Sequence, residues 1–149
     1  MTPALSLLMH LDVRVGPPVT VDPGPPGRRF VPIIGGDVTG AFQGKVLPGG
    51  GDWQTILADG RLEISAHYVL DIEGHGAVEI RSDGVRHGPP EVLAALGRGE
   101  AVDPSSYYFR TAIRLATSAP GLARLNAVLA VSVGAHAATG VSLDIYEVS

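Results

Sequence analysis

The sequence predicts an all-β protein: antiparallel strands closed into a barrel or packed as a tight sandwich, with one short helix. Three observations predict it. Apolar and polar residues alternate at period two through several long stretches. Glycine and proline number 20 and 12 in 149 residues, as expected of many strands joined by tight turns. Helix start and stop signals are confined to one stretch and one further turn.

The elements follow in chain order. In ALSLLMHLDVRV, residues 4–15, Leu5, Leu7, Met9, Leu11, Val13 and Val15 are apolar, against Ser6, His10, Asp12 and Arg14. That is a strand with one buried face. DPGPPGRR, 22–29, is expected to be a proline-rich loop without regular structure. Strands are expected over 38–46 and 53–57, and Asp59-Gly60 then signals a hairpin, since glycine accepts the positive φ such turns require. LEISAHYVLDI, 62–72, repeats the alternation: Leu62, Ile64, Ala66, Tyr68, Leu70 and Ile72 share one face, and Glu63, Ser65, His67 and Asp71 the other. Gly74 and Gly76 mark a turn before a strand at 77–81, in which Glu79 and Arg81 form a solvated face, and Asp83-Gly84 marks a turn after it.

PPEVLAALGRG, 89–99, has proline at a first turn, an early glutamate and glycine at its end, the signature of one short helix. Strands are expected at 107–117, 126–136 and 141–148, with a helical turn in APGLARL and a tight turn at Thr139-Gly140. No repeat or linker divides residues 1–149, which are expected to form one domain. Closure of eight or nine strands removes exposed edges, and a barrel of about eight can hold one small ligand.

Composition excludes several functions. There is no cysteine, so disulfides, thiolate catalysis and cysteine-based zinc sites are ruled out. The net charge is −4 with no basic block, which argues against a nucleic-acid partner. His10, His67, His75, His87 and His136 are scattered without metal-ligand spacing, so no metal and no organic cofactor is expected. No apolar run reaches the roughly 18–20 residues of a membrane helix. The first residues lack the basic start and small-residue cleavage site of a signal peptide, so no membrane association and a cytoplasmic location are expected. GGDVTG resembles a phosphate-binding loop only superficially, because a strand pattern and not a helix follows it.

LPGGGDWQTI, 47–56, carries the first chemical candidate. Its glycines let the backbone bend without Cβ clashes, and Asp52 and Trp53 point to opposite faces if a strand begins there. A carboxylate at a barrel mouth beside an aromatic wall would be desolvated and usable as an acid or base. An aspartate after glycines also caps turns. YYFRTAIRLAT carries the second: Tyr108, Arg110 and Arg114 alternate with Phe109, Ile113 and Leu115. A buried Arg110 would need a carboxylate, either from Asp52 or from a ligand, making it a clamp or a structural ion pair. The face of Glu63, His67 and Asp71 is solvated unless it lines the lumen, where His67 would be a proton shuttle. Asn126 either caps its turn or bonds a ligand carbonyl.

Three segments, GGDVTGAFQGKVLPGGGDWQ (35–54), SYYFRT (106–111) and RLNAVLAVSVG (124–134), resemble the DUF3237 family, also labelled UPF0311. The resemblance extends from about residue 4 to 148. It implies a calycin-like barrel of eight to ten strands with a central pocket. His67, where the family commonly has arginine, and EGHG at 73–76, in place of an Asp-Gly turn, are departures.

The function expected is a cofactor-free acid–base enzyme acting on a small, mainly apolar molecule with a carbonyl, hydroxyl or epoxide, of isomerase, cyclase or lyase type. Asp52 would move the proton, while Arg110 and Tyr108 would stabilise developing oxyanion charge. Trp53, His67, Tyr68 and Asn126 would contact the substrate. The alternatives are a non-catalytic small-molecule carrier and a structural role through a homodimer of apolar strand faces.

Overall fold

A computed structural model describes residues 1–149. It contains strands β1 (Leu5–Val15), β2 (Val19–Asp22), β3 (Gly27–Gly40), β4 (Gly44–Val46), β5 (Gly51–Ile56), β6 (Leu62–Ile72) and β7 (Gly76–His87), then helix α1 (Pro90–Gly97), then β8 (Tyr108–Ala116), β9 (Leu129–Ala137) and β10 (Gly140–Val148). Short 3-10 segments span Pro104–Ser106 and Pro120–Ala127. All pairings are antiparallel.

The strands close into a barrel, not a sandwich. Eight of them run around the ring in the order β1, β10, β9, β8, β7, β6, β5, β3, and β3 returns to β1 from Met9 opposite Gly40 to Val15 opposite Ile33. The short β4 sits between β3 and β6 beyond the glycine turn, and β2 lies on the outer edge of β3. Inward residues from every ring strand except β5, among them Met9, Leu11, Leu70, Ile72, Val78, Ile80 and Ile145, form one contiguous core. Helix α1 lies at the opposite end, with Leu93 against the Asp59-Gly60 turn.

The alternation in 62–72 is reproduced residue for residue: every expected inward side chain is buried and the others face out. Five expectations need correction. In β1 a bulge between Leu7 and Met9 shifts the register, so Leu8 and Met9 are both buried while Leu5 and Leu7 are exposed. The stretch 22–29 is not all loop. Its prolines stop at Pro26, so the amides from Gly27 onward are free to pair with β5, and β3 begins there. The expected strand at 38–46 is the end of β3, a turn and β4. Asp83-Gly84 is no turn; β7 runs through it to His87, paired with β6 and β8 on both sides. The last strand but one starts at Leu129 because Pro120–Ala127 is a 3-10 segment. No helix is long and apolar enough to cross a membrane.

Candidate functional site

The glycines of 47–56 each answer a different local demand. Gly49 has φ +109°, which side chains rarely tolerate. A Cβ on Gly50 would stand 2.5 Å from the His67 carbonyl oxygen, so only glycine lets the turn pack onto β6. A Cβ on Gly51 would stand 2.1 Å from the Phe30 ring. The turn is thereby pressed against β6 and β3, and β5 starts with Asp52 turned inward and Trp53 outward.

Asp52 opens onto a cavity of about 810 Å³ in the barrel. Its walls are mainly apolar, with Leu62, Ile64, Leu93, Leu96, Phe109 and Leu143 prominent among them. Asp52 Oδ2 accepts from Gln54 Nε2 at 2.6 Å, and Oδ1 from the Ser65 backbone amide at 3.1 Å. Gln54 Oε1 in turn accepts from Arg29 Nε at 2.6 Å. Burial pushes the Asp52 carboxyl up to about 6, against the hydrogen bonds from Gln54 and Ser65 and the nearby Arg29, which pull it down. Buried Tyr68 also lines the cavity, and burial together with the Asp52 charge pushes its phenol up, so it stays a hydroxyl donor.

Two further polar groups face the lumen. Arg86 projects from β7 with its Nε buried and without a hydrogen-bond partner, and burial and the like charge of Arg29 both weaken its hold on its proton. Beside it His136 is pushed down by burial and by Arg86, which keeps the imidazole neutral near pH 7. Ser82, Thr111 and Ser132 form a buried hydroxyl chain across β7, β8 and β9, with O–O distances of 2.7 and 2.6 Å.

The expected site residues divide. Asp52 and Tyr68 meet in the cavity. Arg110 and Tyr108 do not reach it, because Phe109 and Thr111 take the inward positions of β8. Arg110 is partnered outside, donating to the Phe109 carbonyl at 2.9 Å with its guanidinium 5.1 Å from the Tyr108 ring centre. Trp53 is 48 % exposed and packs on Phe30 at 4.8 Å, so it forms an outer patch and no pocket wall. His67 lies on the outer face of β6 against Glu79 at 2.5 Å. Asn126 caps its segment, accepting from the Thr117 amide and donating to the carbonyls of Thr117 and Ala123. No three histidine or acidic side chains converge as a metal-binding group.

Arg29, Gln54, Arg86 and His136 are lumen groups that the sequence analysis did not select. Period two could have found three of them. Gln54 follows Asp52 on the inner face, Arg29 precedes inward Val31 and Ile33, and Arg86 continues the series Val78, Ile80, Ser82, Gly84. The supposed turn at Asp83-Gly84 cut that series short.

Comparison with known proteins adds a family and a fold. The family model DUF3237, described as a protein of unknown function, matches residues 3–148. The UPF0311 protein blr7842 of Bradyrhizobium diazoefficiens is 39 % identical over 151 residues, with 99 % of each chain covered. The crystal structure of RPA1785 from Rhodopseudomonas palustris superposes with a TM-score of 0.91 at 36 % identity, over 100 % of both chains. A structure described as an enzyme from Penicillium herquei gives a TM-score of 0.74 at 21 % identity, covering 100 % of this chain and 96 % of that one; this likeness is one of fold.

Proposed function

The chain belongs to the DUF3237 family, and from that premise we propose that it is an acid–base enzyme working without a cofactor on a small, mainly apolar molecule that carries a carbonyl, hydroxyl or epoxide. One observation carries the reading: the Asp52 carboxyl group, pushed up to about 6, faces a mainly apolar-walled cavity of about 810 Å³. A group with that proton affinity is mostly ionised at neutral pH and still a competent base, near the optimum for proton transfer.

The chemistry follows from the donors around it. Asp52 takes a proton from a carbon beside a carbonyl, or from a hydroxyl. In the first case the C–H electron pair moves onto the carbonyl oxygen, and the Tyr68 hydroxyl donates a hydrogen bond to the resulting enolate. Return of the proton at another carbon completes an isomerisation. Departure of a β substituent completes an elimination. In the second case the freed alkoxide or phenoxide attacks an electrophilic carbon and closes a ring. These roles replace those expected of Arg110 and Tyr108, which face outward.

A carrier is the second reading. The chain Arg29–Gln54–Asp52 is already satisfied internally, as a purely structural pair would be. Asp52→Asn separates the two. On a panel of enones, hydroxyenones and epoxides, an enzyme should lose turnover by roughly 10²-fold or more in this variant. Unchanged turnover on a substrate of the wild type, or ligand retention with no turnover by either form, favours the carrier.

A further inference from the structure

The proton transfer leaves Arg86 and His136 unused in the lumen, and of the two only Arg86 carries a charge near pH 7. Arg86 takes part in none of the ion pairs of the protein. Its Nε is fully buried and donates to nothing. The groups it feels are Arg29, a like charge, and the phenol of Tyr107. The residue as a whole is half-buried, and taking even part of a guanidinium out of water is costly unless an anion or hydrogen bonds compensate it.

The cavity lining carries two guanidiniums, Arg29 and Arg86, and two carboxylates, Asp52 and Asp59, and neither carboxylate pairs with Arg86. The hydrogen bonds of Asp52 are committed to Gln54 and Ser65. Asp59 stands at the rim, exposed, and its carboxylate caps its own turn by accepting from the Arg61 amide. Neutral His136 adds a polar edge beside Arg86 and no negative charge. A protein of net charge −4 therefore keeps a guanidinium without an ion-pair partner on the wall of the barrel cavity.

We infer that Arg86 is the counter-ion of an anionic ligand, and that the cavity takes a small, mainly apolar molecule with a carboxylate at one end. A planar guanidinium fork matches a carboxylate in geometry and charge. The placement along the barrel fits an elongated ligand. Asp52 lies opposite Ala66, which lies opposite Ser82, and Arg86 stands four residues further along β7. That is about 13 Å of strand, shortened by the reach of the arginine side chain. Ile64 lies in the span between the two polar ends, and Leu62 and Phe109 flank Arg86 on the neighbouring strands. The inference rests on the acid–base reading only for the far end of the ligand: the carboxylate would anchor at Arg86 and present the reacting group to Asp52.

The test is calorimetric titration near neutral pH with 1-naphthoate, 4-phenylbutyrate and decanoate, each against its primary amide. At least one acid should bind about tenfold or more tightly than its amide. In Arg86→Gln that ratio should fall towards one while the amide affinity holds. Should Arg86→Gln not fold, Arg86→Lys replaces it, because lysine keeps the charge without the fork; the ratio should then fall by about threefold or more. Equal binding of acids and amides by the wild type, an acid preference that survives the arginine substitutions, or no acid binding below about 1 mM overturns the inference. Asp52→Asn should keep the acid preference. Loss of turnover in that variant without any acid preference in the wild type removes the anion assignment alone. Retained turnover removes Asp52 as the base and leaves the anion assignment standing.

Discussion

Gln54 Nε2 donates to Asp52 Oδ2 at 2.6 Å, and it can do so in one orientation only. Flipping the amide would turn its nitrogen towards Arg29 Nε, which now donates to Gln54 Oε1. Arg29 therefore fixes the amide, and the amide fixes the carboxylate.

Because the Gln54 hydrogen bond pulls the Asp52 proton affinity down, removing it should push that affinity further up from about 6. In Gln54→Leu the rising limb of the pH–rate profile should move to higher pH by about one unit. Activity well above that limb should recover. A kcat/KM profile against pH for both forms reads the shift. A limb at the same pH would detach Asp52 from the rate.

The same carboxyl makes stability depend on pH. Its folded value is raised to about 6, above an ordinary 3.8, so the folded state binds the proton more tightly than the unfolded chain. The stabilisation this provides is present below about pH 4 and is lost as pH rises to about 6, an effect on the order of 2–3 kcal/mol. Melting curves of the wild type should accordingly lose ground to those of Asp52→Asn across that interval, whatever their starting difference.

The outward residues should be dispensable for chemistry. Tyr108→Phe, Arg110→Lys and His67→Gln should each keep kcat/KM within about twofold, because exposed pairs contribute little and none of them lines the cavity. Asn126→Ala should cost about 1 kcal/mol or more of stability through its lost cap, with activity unchanged in the folded protein. Chemical denaturation paired with initial rates distinguishes the two kinds of effect.

Gly51→Ala should destabilise by about 1–3 kcal/mol, because its Cβ would lie 2.1 Å from Phe30. Phe30 packs at a tilt against Trp53, the one tryptophan, so the displaced ring should also change the indole fluorescence. Adding Phe30→Ala should relieve part of the cost, so that the double variant loses less than the sum of the single ones.

The barrel and much of its strand order were legible in the sequence because period two is a backbone property that each strand carries alone. β6 is the clearest case, with eleven residues that alternate save for Val69 on the outer face. What escaped was set by neighbours. The bulge in β1 depends on its register with β10, and nothing in SLLMH announces which leucine turns out. Asp83-Gly84 carries the residues of a turn, yet pairing on both sides keeps it extended. The site followed the same division. Asp52 was legible as a carboxylate opposite Trp53, whereas the inward side of β8 depended on how closure oriented its two faces. Arg110 faces out beside Tyr108, while Arg86, within SDGVRHG, faces in.

The hydroxyl chain of Ser82, Thr111 and Ser132 bears on how the barrel finds its alignment. A one-residue slip between strands turns a hydrophobic face to water and is opposed by burial, but a two-residue slip keeps every face where it was. Thr111 stands opposite Ser132. Shifting β9 by two residues would set Ala130 or Gly134 there; Ser132 would be left dry and unpartnered at roughly 1–3 kcal/mol, and Thr111 would keep only Ser82. These small polar side chains thus act as a vernier, selecting one alignment of β8 and β9 from a set that hydrophobic burial alone would treat as equal.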